Sequence, residues 1–262
     1  MATDTKSIIR RLPFRSSLFS LYQMGIRFAA TPRYLSDFLR FRRLMSRSQQ
    51  RFSVRVSDML PCLSDRTAST GFDRHYVYHT AWAVRKVAER MPREHIDISS
   101  HLYFCTSLSA FVPVHFYDYR PADLNLRGLT SQSADLNQLP FRDHSVESLS
   151  CMHVVEHIGL GRYGDPLDAD GDLRAMSELQ RVLAPGGMLL FVTPVGRPRI
   201  QYNAHRVYSY RQILNGFSDL TLSEFALIPD RASDGGLILN ASEEFSDRQD
   251  YGCGCFAFTR TP

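Results

Sequence analysis

Three carboxylates stand in or just after successive short segments read as strands. Asp97 lies in the run 95–98, Asp118 follows 114–117, and Asp135 follows 131–134, while a fourth run, 147–152, ends in Met152-His153. Asp118 comes 21 residues after Asp97, close to the offset at which an acidic side chain takes ribose hydroxyls in nucleotide-binding α/β units. A carboxylate accepts two hydrogen bonds from a vicinal diol, a geometry that neutral side chains match poorly. Asp135 is placed to accept from an adenine amino group, Leu136 to offer its backbone N–H to a ring nitrogen, and His153 to line the same ligand. Asp97, Ser99, Ser100 and Tyr119 complete the candidate binding set. Three acids at strand ends and no phosphate-cradling loop indicate a nucleoside-containing ligand poor in phosphate.

These residues need a sheet whose strands all deliver their carboxyl ends to one side. The candidate strands are 95–98, 114–117, 131–134, 147–152, 188–193, 221–227 and 253–259. A helical pattern over 73–93 precedes them, with Tyr76, His79/Thr80, Ala83, Val87 and Arg90 on one side and Pro92 as its stop. A second, DLRAMSELQRVLAPGG, carries the stripe Leu173, Met176, Leu179 and Leu183, with Asp172 as its cap and Gly186-Gly187 as its end. A third fits YRQILNGF, ending near Gly216. Strands alternating with helices predict an α/β, Rossmann-like, doubly wound sheet. Seven strands are expected, one antiparallel at an edge because no helix separates the last two.

The ligand chemistry favours S-adenosylmethionine over a dinucleotide, and two longer stretches carry a resemblance in the same direction. DLNQLPFRDHSVESLSCMHVVEHI and SELQRVLAPGGMLLFVTPVG resemble the adenine-binding acid, fourth strand, helix, Pro-Gly-Gly turn and fifth strand of class I S-adenosylmethionine-dependent methyltransferases. The likeness covers about residues 75–260. EHIGLGRYGDPLDADGDL and NAHRVYS are similar to a group of uncharacterised methyltransferase-like proteins. The resemblance implies methyl transfer, with Asp97 holding the cofactor's amino group through the first loop, Asp118 the ribose, and Asp135 with Leu136 the adenine. One feature departs from the family pattern acid-x-Gly-x-Gly-x-Gly. Those positions here are Asp97, Ser99, His101 and Tyr103, so no glycine supplies the backbone freedom of that loop. Ser99 and Ser100 are small enough to keep the path open and to donate to the methionine carboxylate.

A methyl acceptor hydroxyl loses its proton as the new bond forms, and an imidazole suits that step. His157 and His205 are the candidate bases, on segments that follow the fourth and fifth strands. Arg162, Tyr163 and Arg206 are candidate substrate contacts or braces of the long loop. His153-Val154-Val155-Glu156-His157 also spells a zinc-protease pattern, but that chemistry requires one continuous helix, and Gly159 and Gly161 follow at once. The acids Asp165, Asp168, Asp170 and Asp172 lack the glycine and glutamate positions of a calcium loop. No metal is therefore expected.

The chain has 262 residues, 44% of them apolar, enough for one large core and excluding disorder. There is no run of about 18 apolar residues, and the arginines within the first 30 residues argue against a secretory signal. The five cysteines have no metal or disulfide spacing, so reduced thiols in a cytoplasmic protein are expected. Charge is uneven: residues 1–60 carry a net +9 and the remainder −5. Residues 1–60 are read as a basic extension of short helices broken at Pro13, Pro32 and Pro61, available for a protein or peripheral membrane contact, and 61–262 as the α/β domain. An acidic domain makes nucleic acid an unfavoured partner. The expected activity is transfer of a methyl group from S-adenosylmethionine to a hydroxyl of a small molecule or glycan. The alternative is a catalytically degenerate scaffold binding a partner through its basic arm.

Overall fold

The computed structural model describes residues 15–47 and 52–261. The chain divides into two compact units, residues 1–71 and 72–262. In the first, helix α1 (Arg15–Met45) is continuous through Pro32, which corrects the expected break there; Pro13 lies outside the described residues. A helical proline removes one backbone donor and crowds the preceding turn. Pro32 and Phe28 are both exposed, so water can satisfy the carbonyl left without its N–H. Tyr34, Phe38 and Met45 form a half-buried stripe, whereas Leu35, Leu39 and Phe41 are exposed.

The second unit opens with α2 (Arg74–Arg90), capped by Asp73, whose side chain accepts the Tyr76 N–H. Its strands are β1 (His95–Ile98), β2 (Val114–Asp118), β3 (Leu129–Ser133), β4 (Val146–Met152), β5 (Leu183–Val195), β6 (Arg199–Gln201), β7 (His205–Val207), β8 (Thr221–Ile228), β9 (Ile238–Leu239) and β10 (Gly252–Thr259). Eight of them form one sheet in the order β3-β2-β1-β4-β5-β10-β8-β9, and β6 and β7 form a separate hairpin. The first five are parallel; β10 runs antiparallel to both β5 and β8, and β9 is an antiparallel edge. The sheet thus has eight strands rather than seven. The additional strand, β9, is two residues long and too short to show alternation.

The remaining helices are α3 (Leu102–Leu108), α4 (Gly171–Val182), α5 (Tyr210–Gly216) and α6 (Glu243–Asp247). Successive strand residues point to opposite faces, and the central strands feed two cores. On β5, Leu189 and Phe191 join the core with Met176, Leu179, Ile213 and Phe217, whereas Met188, Leu190 and Val192 join Trp82, Val87, Phe104 and Leu108. On β10, Phe256 and Phe258 face the first core, and Cys253, Cys255 and Ala257 the second. A strand buried on both faces reads as an unbroken apolar run, which is why 188–193 and 253–259 were legible.

Other details differ from the sequence reading. On α2, Trp82 is buried with His79, Ala83 and Val87, while Tyr76 and Arg90 are exposed. Asp172 does not cap α4; Asp170 occupies that position, and Asp172 is buried, accepting the Tyr208 hydroxyl at 2.9 Å and facing Arg206 at 3.5 Å. Leu173 is exposed, and Leu183 already belongs to β5, which runs on through Gly186-Gly187.

One buried polar chain crosses the centre of the sheet. His95 Nδ1 lies 2.8 Å from the Ser148 hydroxyl and Nε2 2.8 Å from that of Ser150, which donates in turn to Asp97. Because Ser150 gives its proton to Asp97, it must accept from His95 Nε2–H, and Nδ1 accepts from Ser148. Burial pushes the His95 imidazole down to about 3 from its usual 6.5. Folded His95 therefore stays neutral while the unfolded chain takes up a proton below about pH 6.5. Its contribution is complete above that pH and is lost as the pH falls toward 3. In urea titrations between pH 7 and 5, the wild type should lose stability on acidification more steeply than His95→Gln, with a difference in slope of up to about 1.4 kcal/mol per pH unit.

Candidate active site

The carboxyl ends of the parallel strands open into a cavity of about 830 Å³, within the range of small-molecule and cofactor sites. It belongs entirely to the second unit. Ser99, Asp118, Tyr119, Asp135, Leu136, His153, His157 and His205 all line it. Asp97 and Ser100 do not; they are buried behind the wall.

Their position explains the first loop. The Ser100 N–H donates to Asp97 Oδ1 at 3.0 Å, Asp97 also accepts from Ser150, and Ser100 Oγ accepts the Met152 N–H at 3.0 Å. The ends of β1 and β4 are thereby tied together. Ser99, at the first glycine position of the methyltransferase pattern, has φ +56°, and its N–H donates to the Tyr117 carbonyl at 2.8 Å. A left-handed conformation at a residue with a Cβ costs roughly 1–2 kcal/mol. The loop keeps the turn that glycine would make without strain. His153, one residue past β4, is also left-handed, with φ +59°.

At the ends of β2 and β3, Asp118 Oδ1 accepts the Arg120 N–H at 2.7 Å and Asp135 Oδ1 the Asn137 N–H at 2.9 Å. Each carboxylate is fixed through one oxygen, leaving Oδ2 for a ligand. Ser99 and Asp118 stand at the ends of the adjacent strands β1 and β2, and Asp135 and Leu136 just beyond β3, so one elongated molecule can span all four.

On the opposite side, His157 Nδ1 lies 2.6 Å from the Ala204 carbonyl, to which Arg162 Nη1 donates at 3.0 Å. The Nδ1 proton is therefore held by a carbonyl, and Nε2 is the basic nitrogen. His205 packs against Tyr251 with ring centres 4.9 Å apart, and its buried Nε2 has no hydrogen-bond partner. Burial lowers the affinity of His205 for a proton, which keeps the ring neutral near pH 7. Arg120 and Arg162 lie over the Tyr163 ring at 4.8 and 5.0 Å.

The segment between β4 and α4 is shaped by its own acids. Asp165 accepts the N–H groups of Gly159, Gly161 and Tyr163 at 2.8, 3.3 and 3.1 Å. Gly159 has φ +79° and the Asp168 carbonyl where a Cβ would lie, so no larger residue fits. Arg206 is buried, donating to the Ile158 carbonyl at 2.6 Å, and braces the loop from outside the cavity lining. Arg162 and Tyr163 do line the cavity. The zinc-protease pattern is not formed, because Val155–His157 is a single 3-10 turn and left-handed His153 precedes it.

Two site residues had no sequence signature. His75 enters from the first turn of α2 and Tyr251 from the residue before β10. Glu156, almost wholly buried, meets His153 Nδ1 at 2.9 Å. Burial works to raise the Glu156 carboxyl, but the His153 hydrogen bond and the charges of His153 and His157 override it and hold the group below its usual range. His75 is pushed down to about 4, chiefly by burial and then by His153.

Comparisons with known proteins bear on the fold. A candidate methyltransferase from Bacillus halodurans superposes with a TM-score of 0.50 at 16% identity, over 70% of this chain and 99% of that one. The N-methyltransferase NodS from Bradyrhizobium japonicum, in complex with S-adenosyl-L-homocysteine, gives 0.50 at 14% identity, over 71% and 87% of the two chains. The fold is that of class I S-adenosylmethionine-dependent methyltransferases. Residues 141–223 match the family model described as "Caenorhabditis protein of unknown function, DUF268", a stretch that holds His153, Glu156, the long loop and His205. A search of curated proteins finds no match.

Two substitutions test the first loop. Ser100→Ala leaves the buried Met152 N–H without its acceptor and should cost about 1–3 kcal/mol in denaturant unfolding. Ser99→Gly removes the left-handed strain at the expense of one long hydroxyl bond, and should leave stability unchanged or raise it by up to about 1 kcal/mol.

Proposed function

We propose that the chain transfers a methyl group from S-adenosylmethionine to a hydroxyl of a small polar or glycan acceptor. The observation that carries this reading is the gathering of Ser99, Asp118, Asp135 and Leu136 on one cavity wall, at successive parallel strand ends of a methyltransferase fold. The donor set fits the cofactor: a carboxylate for a ribose diol, a carboxylate and a backbone N–H for an adenine edge, and a small hydroxyl residue where the chain turns. S-Adenosylmethionine, when bound, supplies a methyl group activated by a sulfonium.

The remaining work falls to side chains of the opposite wall. His205 lines the cavity with a ring whose proton affinity burial lowers, suited to accept the acceptor's hydroxyl proton as the carbon–oxygen bond forms. His157, tethered through Nδ1 to the Ala204 carbonyl, holds the adjoining segment in place and offers Nε2 to the same region. Tyr76, Tyr119, Tyr163 and Tyr251 give flat apolar faces beside Arg120 and Arg162, a combination suited to a ring bearing several hydroxyls. Holding methyl group and hydroxyl in line accounts for a large part of the rate in such a reaction.

Calorimetric titration with S-adenosylhomocysteine tests the cofactor assignment. Micromolar binding is expected, and Asp118→Ala should weaken it about 10- to 100-fold, the scale of a hydrogen bond to a charged group. No binding up to about a millimolar would overturn the reading in favour of a non-catalytic scaffold. With cofactor binding established, His205→Ala should keep that affinity and lower turnover by about 10²–10⁴-fold, measured on whichever sugar or small alcohol an acceptor screen identifies.

A further inference from the structure

Three potential metal ligands from distant parts of the chain meet at one edge of the cavity. His75 comes from the first turn of α2, His153 follows β4, and Cys253 lies on β10. One ligand atom from each lies within 4.8 Å of the other two. His153 Nε2 is 3.4 Å from Cys253 Sγ. In a tetrahedral site with Zn–N near 2.0 Å and Zn–S near 2.3 Å, a nitrogen and a sulfur ligand stand about 3.5 Å apart. The His153–Cys253 pair thus already has the separation of two ligands to one ion. The His75 ring lies nearly parallel to that of His153, with centres 5.9 Å apart and planes 5° from coincidence.

The surroundings point the same way. A metal-bound histidine characteristically donates its other ring N–H to a carboxylate, which fixes the tautomer and increases the basicity of the ligating nitrogen. His153 Nδ1 makes that contact with Glu156 Oε1 at 2.9 Å, and this directs Nε2 at Cys253, whose thiol it meets in a hydrogen bond that metal binding would replace. Glu156 is buried, and its Oε2 has no hydrogen-bond partner. Positive charge near a buried carboxylate stabilises it, and an ion on the far side of the imidazole would add to that of the neighbouring histidines.

We propose that His75, His153 and Cys253 bind one borderline transition-metal ion of the zinc type, with Glu156 positioning His153 and a fourth coordination position left for water or a ligand. Two imidazoles and a thiolate are a donor set suited to Zn²⁺ or Co²⁺ and poorly suited to Mg²⁺ or Ca²⁺. Binding converts the Cys253 thiol to a thiolate, and its proton goes to solvent, one per ion. His75 and His153 line the cavity, so the fourth position adjoins the place where an acceptor would sit. The proposal rests on these ligands alone and does not require methyl transfer.

The test is titration of the full-length chain, stripped with a chelator, with Co²⁺ and then Zn²⁺. One equivalent of Co²⁺ should bind, giving a thiolate-to-cobalt charge-transfer band and the intense visible absorption of a tetrahedral ion. One equivalent of Zn²⁺ should displace it. Cys253→Ser should abolish the charge-transfer band, whereas substitution of the exposed Cys62 with serine should leave it intact. Glu156→Gln should retain the band and weaken binding about 10- to 100-fold. Because Cys253 is buried in a core strand, His75→Ala serves as an independent variant. It should weaken binding at least 10-fold and remove the increase in thermal unfolding midpoint that Zn²⁺ gives the wild type. Absence of the band, its survival in Cys253→Ser, or unchanged affinity in His75→Ala would overturn the proposal. S-Adenosylhomocysteine titration of the same stripped protein reads the cofactor assignment separately, so either idea can fail without the other.

Discussion

The clamp between the ends of β1 and β4 is the interaction on which the site depends. Asp97 accepts the Ser100 N–H and the Ser150 hydroxyl, and Ser100 accepts the Met152 N–H. All four groups are buried, where a hydrogen bond is expensive to leave unmade. The clamp therefore holds two chain reversals, at Ser99 and at His153, in the left-handed region that each would otherwise avoid. Those reversals put Ser99 on the cavity wall and aim His153 at Cys253. A glycine-rich loop reaches a similar turn through backbone freedom; here fixed polar partners impose it.

A second framework holds the opposite wall. Buried Arg206 and Asp172 face each other, Tyr208 donates to Asp172, and Arg206 also donates to the carbonyl of Ile158. An isolated buried ion pair adds little net stability because both charges lose their water. Its value here is positional: it joins the start of α4, the β7 strand and the long loop, and so sets where His157 and His205 stand. Asp165 performs the same service locally by accepting three backbone N–H groups. Of the other acids in this stretch, Asp168 pairs with Arg174 and Asp172 faces Arg206.

The cavity combines two chemical regimes. Along β1, β2 and β3 it offers hydroxyl and carboxylate groups near the surface, suited to a nucleoside's polar edges. Around His75, His153 and Glu156, histidine rings and one buried carboxylate share a space; burial lowers the proton affinity of His75, and the neighbouring histidines hold Glu156 below its usual range. Such a mixture of shifted groups is characteristic of functional sites. A purely structural core would have filled this volume with aliphatic side chains.

The sequence alone was sufficient for the parallel half of the sheet and for which residues leave it at the cavity edge. β4 and β5 are buried along most of their length and read as strands from composition, whereas β2 and β3 are partly exposed; residues that leave parallel strands emerge at the carboxyl edge, so Asp118, Asp135 and His153 could be placed from their positions in the strand order. Features that depend on distant partners were not legible. Pro32 reads as a helix stop because local sterics disfavour it, yet α1 continues. Asp172 reads as a cap, yet its partners Arg206 and Tyr208 lie more than 30 residues away. Ser99 looks like the loss of a glycine until the clamp that holds its backbone is seen. The meeting of His75, His153 and Cys253 was invisible for the same reason, since their spacing reflects the length of the intervening chain rather than any repeat. Local periodicity determined which segments would be strands and which side chains would leave them; only the crossing of α2, β4 and β10 in three dimensions decided which of those side chains would touch.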